Sequence, residues 1–267
     1  MGVIKMLKSK GKNNASFRCW VKNKTDTSAD LYFYGDIVSD KAYKWSSDDK
    51  CPTDVIEALN ECGDVDKLNI YINSCGGNVF AGNAIYNRLR SHTAHKTVFI
   101  DGVAASIASV IALAGDEIVM PENSYIMIHK AWTYAVGNSD DLRASADRLE
   151  QIEQSIVTTY NSHTKEDVNE EKIKSLMAAE TWFSAAEASE FFNDVTVVEE
   201  TSAVACISNM EYKNIPQGAV KAPQAETIPP ETGGDSEQKK EKEIENSLNL
   251  AENFIFMEEC EDEQKNA

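Results

Sequence analysis

Short apolar runs alternate with amphipathic stretches along the middle of the chain. Mainly apolar runs, rich in β-branched and aromatic residues, predict strands at 31–34, 68–72, 97–100, 117–120, 125–128 and 195–198. Apolar positions at helical spacing predict helices at 52–62, 79–90, 107–114, 138–163, 170–179 and 184–192. Strands that alternate with helices in this way indicate βαβ units, so we expect an α/β fold with a mostly parallel sheet.

The same pattern divides the chain into three parts. Residues 1–30 are polar and mixed, and we expect a flexible N-terminal arm there, while residues 31–200 carry the predicted domain. Residues 201–267 contain 14 acidic and 6 basic residues, four prolines and few large apolar side chains, which predicts a disordered acidic tail. An apolar patch near its end, Leu248–Met257, is interpreted either as a weak helix or as a docking motif for a partner.

Charge and composition narrow the class of protein. The formal net charge of −18 argues against a nucleic-acid partner, because neutralising phosphates requires clustered Lys and Arg. The chain has no run of eighteen apolar residues and its start lacks the apolar region of a secretory signal, so we expect a cytoplasmic protein with no membrane partner. Its six cysteines lack CxxC spacing, which predicts free thiols and no metal site.

Three segments that carry reactive groups each follow a predicted strand. Asn73–Gly77 contains a glycine pair, Gly102–Ser106 ends in a serine, and His129 comes directly after the strand at 125–128. In parallel sheets, reactive groups gather where strands end and helices begin. A hydroxyl, an imidazole and a turn that offers backbone N–H groups are the components of acyl transfer. The sequence therefore predicts a serine hydrolase, and a peptidase in particular.

Each of these residues also has a structural interpretation. Ser106 fits a helix cap, His129 fits a core position at the end of a strand, and the glycines fit any tight turn. Alanines stand where the Gly-x-Ser-x-Gly elbow of α/β-hydrolases has glycines, which disfavours that fold. Cys75 is an alternative nucleophile, and Lys96 or Lys130 an alternative base, although neither lysine has an evident desolvated site.

Together the three segments resemble the Clp-type serine peptidases, and within that family the phage head-maturation proteases. The resemblance rests on Ile72–Gly77 with the following Ala81–Tyr86, on Gly102–Ser106 and on Met127–His129, and it covers about residues 31–198. It implies a crotonase-like fold of repeated β/α units with mostly parallel sheets. It also implies that a long helix, here at 140–160, makes contacts between subunits in a homo-oligomeric ring.

The resemblance further implies a role for each site residue. Ser106 is the expected nucleophile, His129 the expected base, and the N–H groups of Gly77 and Ile107 the expected oxyanion hole. Glu180 stands where the family usually has the aspartate that orients the imidazole, a task that glutamate performs in other triads. An extended peptide is expected to pair with the chain near the glycines by strand addition. The expected substrate-binding residues are Gly76, Asn78, Val79, Lys130, Ala131 and Trp132.

Two departures from the family pattern bear on substrates and partners. The segment Lys130–Tyr134 lacks the proline and paired glycines of the family, so its cleavage preference does not transfer. The first 30 residues do not resemble the loops that dock an unfolding ATPase, which argues against that partner.

We therefore expect a serine endopeptidase without cofactor that acts on proteins, with or without an ATPase. If the protein is phage-encoded, it trims capsid or scaffold proteins in the host cytoplasm or the procapsid. One alternative is a scaffold or assembly protein of the same fold that docks through its acidic tail. The other is acyl-CoA chemistry that uses paired N–H groups without a Ser–His pair.

Overall fold

Residues 21–44, 48–200, 212 and 214–216 are described by a computed structural model, and these residues form one eight-stranded sheet and six α-helices. The strands are β1 (Val21–Lys22), β2 (Ser28–Tyr34), β3 (Lys67–Ser74), β4 (His95–Ala105), β5 (Glu117–Pro121), β6 (Tyr125–Ile128), β7 (Thr181–Ser184) and β8 (Val195–Val198). The helices are α1 (Pro52–Cys62), α2 (Val79–Arg90), α3 (Ile107–Ala112), α4 (Ser139–Asn161), α5 (Glu170–Ala178) and α6 (Ala185–Phe191). The predicted arm up to residue 20 and most of the predicted tail, with Leu248–Met257, lie outside the described residues.

The sheet is mostly parallel and divides at its longest strand. The main strand order is β1–β2–β3–β4–β5–β8, and β6 pairs with both β4 and β7. Only the β1–β2 and β6–β7 pairs are antiparallel among the described strands. Residues Thr97–Phe99 of β4 pair with β5, whereas Val103–Ala105 pair with β6. We call β5 and β8 the β5 branch, and β6 and β7 the β6 branch. The predicted α/β fold with a mostly parallel sheet is confirmed.

Each predicted strand and helix is found, and α1, α2, β6 and β8 have their predicted bounds. The sheet begins earlier than expected, because β1 and the first residues of β2 lie in the region predicted as a flexible arm. Asp30 explains the difference: this strand residue is polar but only 6% exposed, and its carboxylate accepts hydrogen bonds from Asn23 and Asn69 at 2.6 and 2.7 Å. The pattern also missed β7, a four-residue strand just after α5.

Capping and close packing fix the two helices nearest the site. The Oδ1 of Asn78 accepts a hydrogen bond from the N–H of Ala81 at 2.9 Å and caps α2. Every residue of α3 is buried. A Cβ on Gly82 would lie 2.1 Å from Cγ1 of Ile107, so only glycine lets α2 approach the first residue of α3 this closely.

The described residues group into two units by their internal contacts. The first contains the sheet, and it includes the end of α4, where the buried Tyr160 has its hydroxyl 2.7 Å from Oγ of Ser109. The second contains residues 131–155, which comprise the first part of α4 and the segment before it. In this second unit the large side chains of Trp132, Tyr134, Val136 and Leu142 are exposed.

Candidate active site

Ser106 and His129 meet where β4 and β6 end. Parallel pairing aligns Ala105 with Met127, so the chain leaves both strands at the same edge of the sheet. The N–H of Ser106 donates to the carbonyl oxygen of Met127 at 2.9 Å. Nε2 of His129 lies 2.7 Å from Oγ of Ser106, a hydrogen-bond distance. The structure thus brings together the residues that the sequence indicated as nucleophile and base.

The backbone of Ser106 is strained. Its φ of 55° and ψ of −129° define a conformation that residues with a side chain rarely adopt, at a cost of about 1–3 kcal/mol. This conformation turns the chain sharply from β4 into α3 and leaves the serine side chain partly exposed. Strain of this kind is concentrated at functional sites, because the surrounding structure must hold it in place. Ser106 therefore occupies a strained strand-to-helix turn, although its flanking residues differ from the α/β-hydrolase elbow.

The environment of His129 favours its neutral form. Burial lowers the pKa of the imidazole below its ordinary value, and the carboxylate of Glu180 acts in the opposite direction. Because the net shift is downward, the ring is neutral at pH 7 and a nitrogen lone pair can accept the hydroxyl proton of Ser106. The same carboxylate can then stabilise the imidazolium that this transfer creates.

The turn after β3 needs glycine at two successive positions. Gly76 has a φ of 94° and Gly77 a φ of 141°. A Cβ on Gly76 would lie 2.7 Å from Cβ of Ser106, and a Cβ on Gly77 would lie 2.1 Å from the carbonyl oxygen of Ile37. The two glycines thus let the turn pass between the serine and a neighbouring backbone segment.

Pairing with Ile37 determines the direction of the N–H groups in this turn. The N–H of Ile37 donates to the carbonyl oxygen of Gly76, and the N–H of Asn78 donates to that of Ile37, each at 2.7 Å. In a parallel pair, the residue between two such bonds directs its own N–H away from the partner, so the N–H of Gly77 points away from Ile37. The nitrogen of Ile107 lies 3.1 Å from the position of a Cβ on Gly76. Two backbone segments with candidate oxyanion donors therefore adjoin at Ser106.

Glu180 lies opposite His129 across the β6–β7 pair. Antiparallel pairing aligns Ile128 with Thr181, and the next residues beyond that pair are His129 and Glu180. Glu180 follows the end of α5 with a φ of 52°, a conformation for which helix ends usually use glycine. Its Oε1 accepts a hydrogen bond from the N–H of Asn214 at 2.9 Å. The sequence assigned this residue by resemblance alone, and the missed strand β7 supplies the physical reason for its position.

A tyrosine from the predicted tail also contacts the site. The hydroxyl of Tyr212 donates to the carbonyl oxygen of Cys75. Its ring meets the ring of His129 edge to face, with centroids 5.9 Å apart and planes at 78°. On another side it meets Trp182, with centroids 5.5 Å apart. Tyr212 and Trp182 pack against a small buried cluster of Cys75, Val103, Ala105 and Met127. No periodicity or motif around Tyr212 marks it in the sequence.

Some hydrogen-bonding groups of the predicted substrate-binding residues near the glycine turn already have partners within the chain. The carbonyl oxygen of Asn78 accepts the N–H of Gly82 at 3.0 Å, its N–H pairs with Ile37, and its side chain caps α2. Val79 is the first residue of α2. Gly76 is buried against Ser106. Substrate binding by these residues stays a prediction.

The predicted substrate-binding residues after His129 lie in two different units. Lys130 is exposed, and its N–H donates to the carbonyl oxygen of Met177 at 3.2 Å. Ala131 and Trp132 belong to the second unit, where the ring of Trp132 meets that of Tyr134 edge to face. Their predicted role likewise stays a prediction.

The alternative base Lys96 is excluded by its position. It lies near the start of β4, and its ammonium donates to the carbonyl oxygen of Ala94 at 2.7 Å and pairs with Asp116 at 3.1 Å. Ser106 follows the other end of the same strand, roughly 30 Å away at about 3.3 Å per residue. The alternative nucleophile Cys75 is 7% exposed and belongs to the apolar cluster under Tyr212.

Two negative observations apply to the described ranges. Within residues 21–44, 48–200, 212 and 214–216, no three His, Cys, Asp or Glu side chains gather as a metal ion would require. None of the helices in these ranges is both long and apolar enough to cross a membrane.

Comparison with known proteins finds relatives that share one name. The ATP-dependent Clp protease proteolytic subunit of Deinococcus radiodurans is 33% identical over 138 residues, which are 51% of this chain and 66% of that protein. The proteins of the same name from Bacteroides thetaiotaomicron and Porphyromonas gingivalis are each 31% identical over 127 residues, 46% of this chain and 56% of theirs. The chain thus covers less than two thirds of the length of each of these relatives.

The family profile described as Clp protease matches residues 26–192. This range is more than half of the chain, runs from before β2 into the residues after α6, and includes Ser106, His129 and Glu180. The resemblance drawn from the three sequence segments is therefore confirmed at the level of the family, and the chain belongs to the Clp protease family.

Proposed function

We propose that this protein is a serine endopeptidase in which Ser106 is the nucleophile and His129 the general base. The observation that carries the proposal is the 2.7 Å distance from Nε2 of His129 to Oγ of Ser106 beside the glycine turn. The strained backbone of Ser106 and the neutral imidazole support it. Membership of the Clp protease family and relatives named as proteolytic subunits support the peptidase class.

In the proposed reaction, the hydroxyl proton of Ser106 passes to Nε2 of His129 while Oγ bonds to the carbonyl carbon of the scissile peptide. The carbonyl oxygen becomes an oxyanion, which accepts hydrogen bonds from the N–H groups of Gly77 and Ile107. The C–N bond then breaks, and the imidazolium gives its proton to the leaving amine. Water then gives a proton to the same imidazole and bonds to the acyl carbon, and the imidazolium returns that proton to Oγ of Ser106 as the ester C–O bond breaks. Glu180 stabilises the imidazolium in both halves of the reaction.

A fluorophosphonate probe tests the nucleophile directly. We expect one adduct per chain, mapped to Ser106 by fragmentation of the peptide that also holds Ser109 and Ser124. Ser106→Ala removes both the adduct and the hydrolysis of an end-blocked fluorogenic peptide. Ser124→Ala, which changes another serine of the same peptide fragment, retains both. Full hydrolysis by Ser106→Ala would overturn the proposal. Binding of a coenzyme A thioester that survives this substitution would favour acyl-CoA chemistry instead.

We also propose that the protein forms a homo-oligomeric ring through α4. The first part of this helix and the segment before it expose Tyr134, Val136 and Leu142, at 90%, 96% and 45%. Large apolar side chains exposed together are typical of interaction surfaces. We expect Leu142→Asp to lower the mass measured by sedimentation, while Glu150→Asp on the same helix does not. A monomeric wild-type protein would contradict this assignment.

The finer proposal is that the substrates are capsid or scaffold proteins of a phage, cleaved in the host cytoplasm or the procapsid. It is supported by the resemblance of the segments around Gly77, Ser106 and His129 to the head-maturation proteases. Co-expression with prohead proteins should give new N-termini by peptide sequencing, and Ser106→Ala should give none. Proheads that mature fully with Ser106→Ala would favour the alternative of a scaffold or assembly protein that acts without catalysis.

A further inference from the structure

Two residues far along the chain contact three separate parts of the candidate active site. Tyr212 bonds to the carbonyl oxygen of Cys75, directly before the glycine turn, and packs its ring against His129. These contacts join the end of β3 to the end of β6. A single side chain thus connects the backbone that carries one proposed oxyanion donor with the imidazole that serves as the proposed base.

Asn214 contacts the third part, the turn that carries Glu180. Its backbone N–H donates to Oε1 of Glu180 at 2.9 Å, and its side-chain Nδ2 donates to the carbonyl oxygen of Ala179 at 3.0 Å. The first bond fixes the carboxylate and the second fixes the backbone beside it. Glutamate has one more rotatable bond than the aspartate usual in the family, so a tether on its carboxylate removes conformations that would not face the imidazole.

We propose that Tyr212 and Asn214 are positioning residues of the active site, which hold His129, the glycine turn and Glu180 in their relative places. This inference rests on the proposed function. Both residues lie outside the matched range 26–192, so they are additions to the part of the chain that the family shares. Their contacts are with the base, the acid and the turn, which is the arrangement expected of a support rather than of a substrate-like occupant.

Kinetics of full-length variants test the proposal. Tyr212→Ala is expected to lower kcat for an end-blocked peptide about tenfold with little change in KM, because small errors in the placement of a base are costly. Tyr212→Phe keeps the ring and loses only the bond to Cys75, so its loss is smaller, about threefold. Ile215→Ala is the matched control: this neighbour is 43% exposed, and its substitution should leave kcat unchanged.

A histidine titration by NMR provides a readout that general loosening of the fold would not give. Glu180 is the charged group that acts on His129, and Tyr212 is the titratable ring packed against it. Tyr212→Ala admits water to the imidazole and should raise its pKa, because burial lowers it. Asn214→Pro removes the N–H that holds Glu180 and should lower the pKa, while Asn214→Ala, which keeps this N–H, should lower it less. Thermal unfolding of each variant shows that it is folded.

The outcomes separate this inference from the proposed function. Wild-type kcat and wild-type pKa in the Tyr212 and Asn214 variants would overturn the inference while leaving the peptidase intact. A kcat above that of the wild type would also overturn it, since the two residues would then form an inhibitory cover. Opposite pKa shifts in a protein that neither binds the fluorophosphonate nor cuts peptides would support positioning and reject the peptidase.

Discussion

Ser106 and Glu180 both have a positive φ but are held by different kinds of structure. Their φ values are 55° and 52°, both in the left-handed region. Ser106 lies between the buried end of β4 and the buried helix α3, and its N–H donates to the carbonyl oxygen of Met127 in β6. Glu180 lies in a partly exposed turn between α5 and β7, and its carboxylate is held by Asn214, a residue 34 positions along the chain.

The difference indicates that two parts of the site are held with different firmness. We call the glycine turn, Ser106 and His129 the serine side, and Glu180 the glutamate side. Elements paired in the sheet can shift only if several hydrogen bonds break together, so the sheet fixes where the backbones of Ser106 and His129 lie, and Tyr212 packs on the imidazole within that frame. The carboxylate of Glu180 is held by the N–H of Asn214, outside the pairing of the sheet, so its position can change without loss of the sheet. We expect substitutions on the serine side to abolish the reaction, and substitutions on the glutamate side to tune it.

Ser106→Ala is the strongest test of the serine side. If Ser106 and His129 act as one unit, this variant and His129→Ala should each lower kcat about 10⁴–10⁶-fold, and the double variant should be little worse than either. Hydrolysis of the end-blocked peptide under single-turnover conditions measures the effect. Losses that multiply in the double variant would contradict joint action.

Gly76→Ala tests the turn that packs against Ser106. The new Cβ would lie 2.7 Å from Cβ of the serine, on a backbone with a φ of 94°. Moving the serine or the turn should lower kcat by about 10²–10³, the effect of losing one oxyanion donor. Gly63→Ala is the control, because Gly63 also has a positive φ but has no atom within 4 Å of the added Cβ. It should lower the free energy of unfolding by about 1–3 kcal/mol, because Gly63 has φ 68° and ψ −154°, and leave kcat unchanged.

Glu180→Gln tests the glutamate side with a smaller expected effect. The amide oxygen can still accept the N–H of Asn214, but the negative charge that raises the pKa of His129 is lost. The pKa of the imidazole should therefore fall further, and the acid limb of kcat/KM should move to lower pH. We expect kcat to fall about ten- to a hundredfold, less than the loss in other triads, because Tyr212 also packs on the imidazole. A loss equal to that of Ser106→Ala would erase the distinction between the two sides.

Asp36→Asn should raise the free energy of unfolding without changing a proposed catalytic residue. Asp36 directly precedes Ile37, which pairs with the glycine turn of the serine side. Burial, and then the charge of Asp49, raise the pKa of Asp36 to about 6, and its Oδ1 is buried without a hydrogen-bond partner in the described part of the chain. Because the folded carboxyl binds its proton more tightly than the unfolded one, the free energy of unfolding should fall as pH rises from about 4 to 6. Asp36→Asn should remove this decline and add about 1 kcal/mol at pH 8, allowing for partial exposure.

Denaturant unfolding between pH 4 and 8 measures this effect. Asp26→Asn, at an exposed aspartate of the same region, is the control and should leave the pH dependence as in the wild type. An Asp36→Asn protein that is less stable than the wild type at pH 8 would contradict the assigned cause.

The sequence predicted those parts of the fold in which local pattern and burial agree. Helix α1 begins at Pro52 and ends before Gly63, and α2 follows a capping asparagine, so their bounds could be given in advance. The position of Ser106 and His129 at one sheet edge followed from the rule for parallel strands, without any contact being known. The arm and the tail were inferred from composition, and their predictions fall mostly on residues that the structure does not describe.

The rest depends on contacts that the pattern does not encode. The polar strand residue Asp30 is buried because Asn23 and Asn69 satisfy its carboxylate, and no rule of alternation predicts such a pair. Strand β7 is only four residues long, and its pairing with β6 is what places Glu180. Tyr212 lies in a stretch without periodicity, so only tertiary structure shows its contact with His129.

The division of β4 also bears on how such a protein can change over time. The β5 branch carries no candidate site residue, whereas the β6 branch is followed by the imidazole and pairs with the strand that follows the carboxylate. Helix α6 packs against β8 and also against β6 and β7, so this helix joins the two branches in addition to β4. Substitutions on the β5 branch away from α6 can therefore change the thermal stability of this chain with little effect on the candidate site, whereas substitutions in α6 bear on both branches.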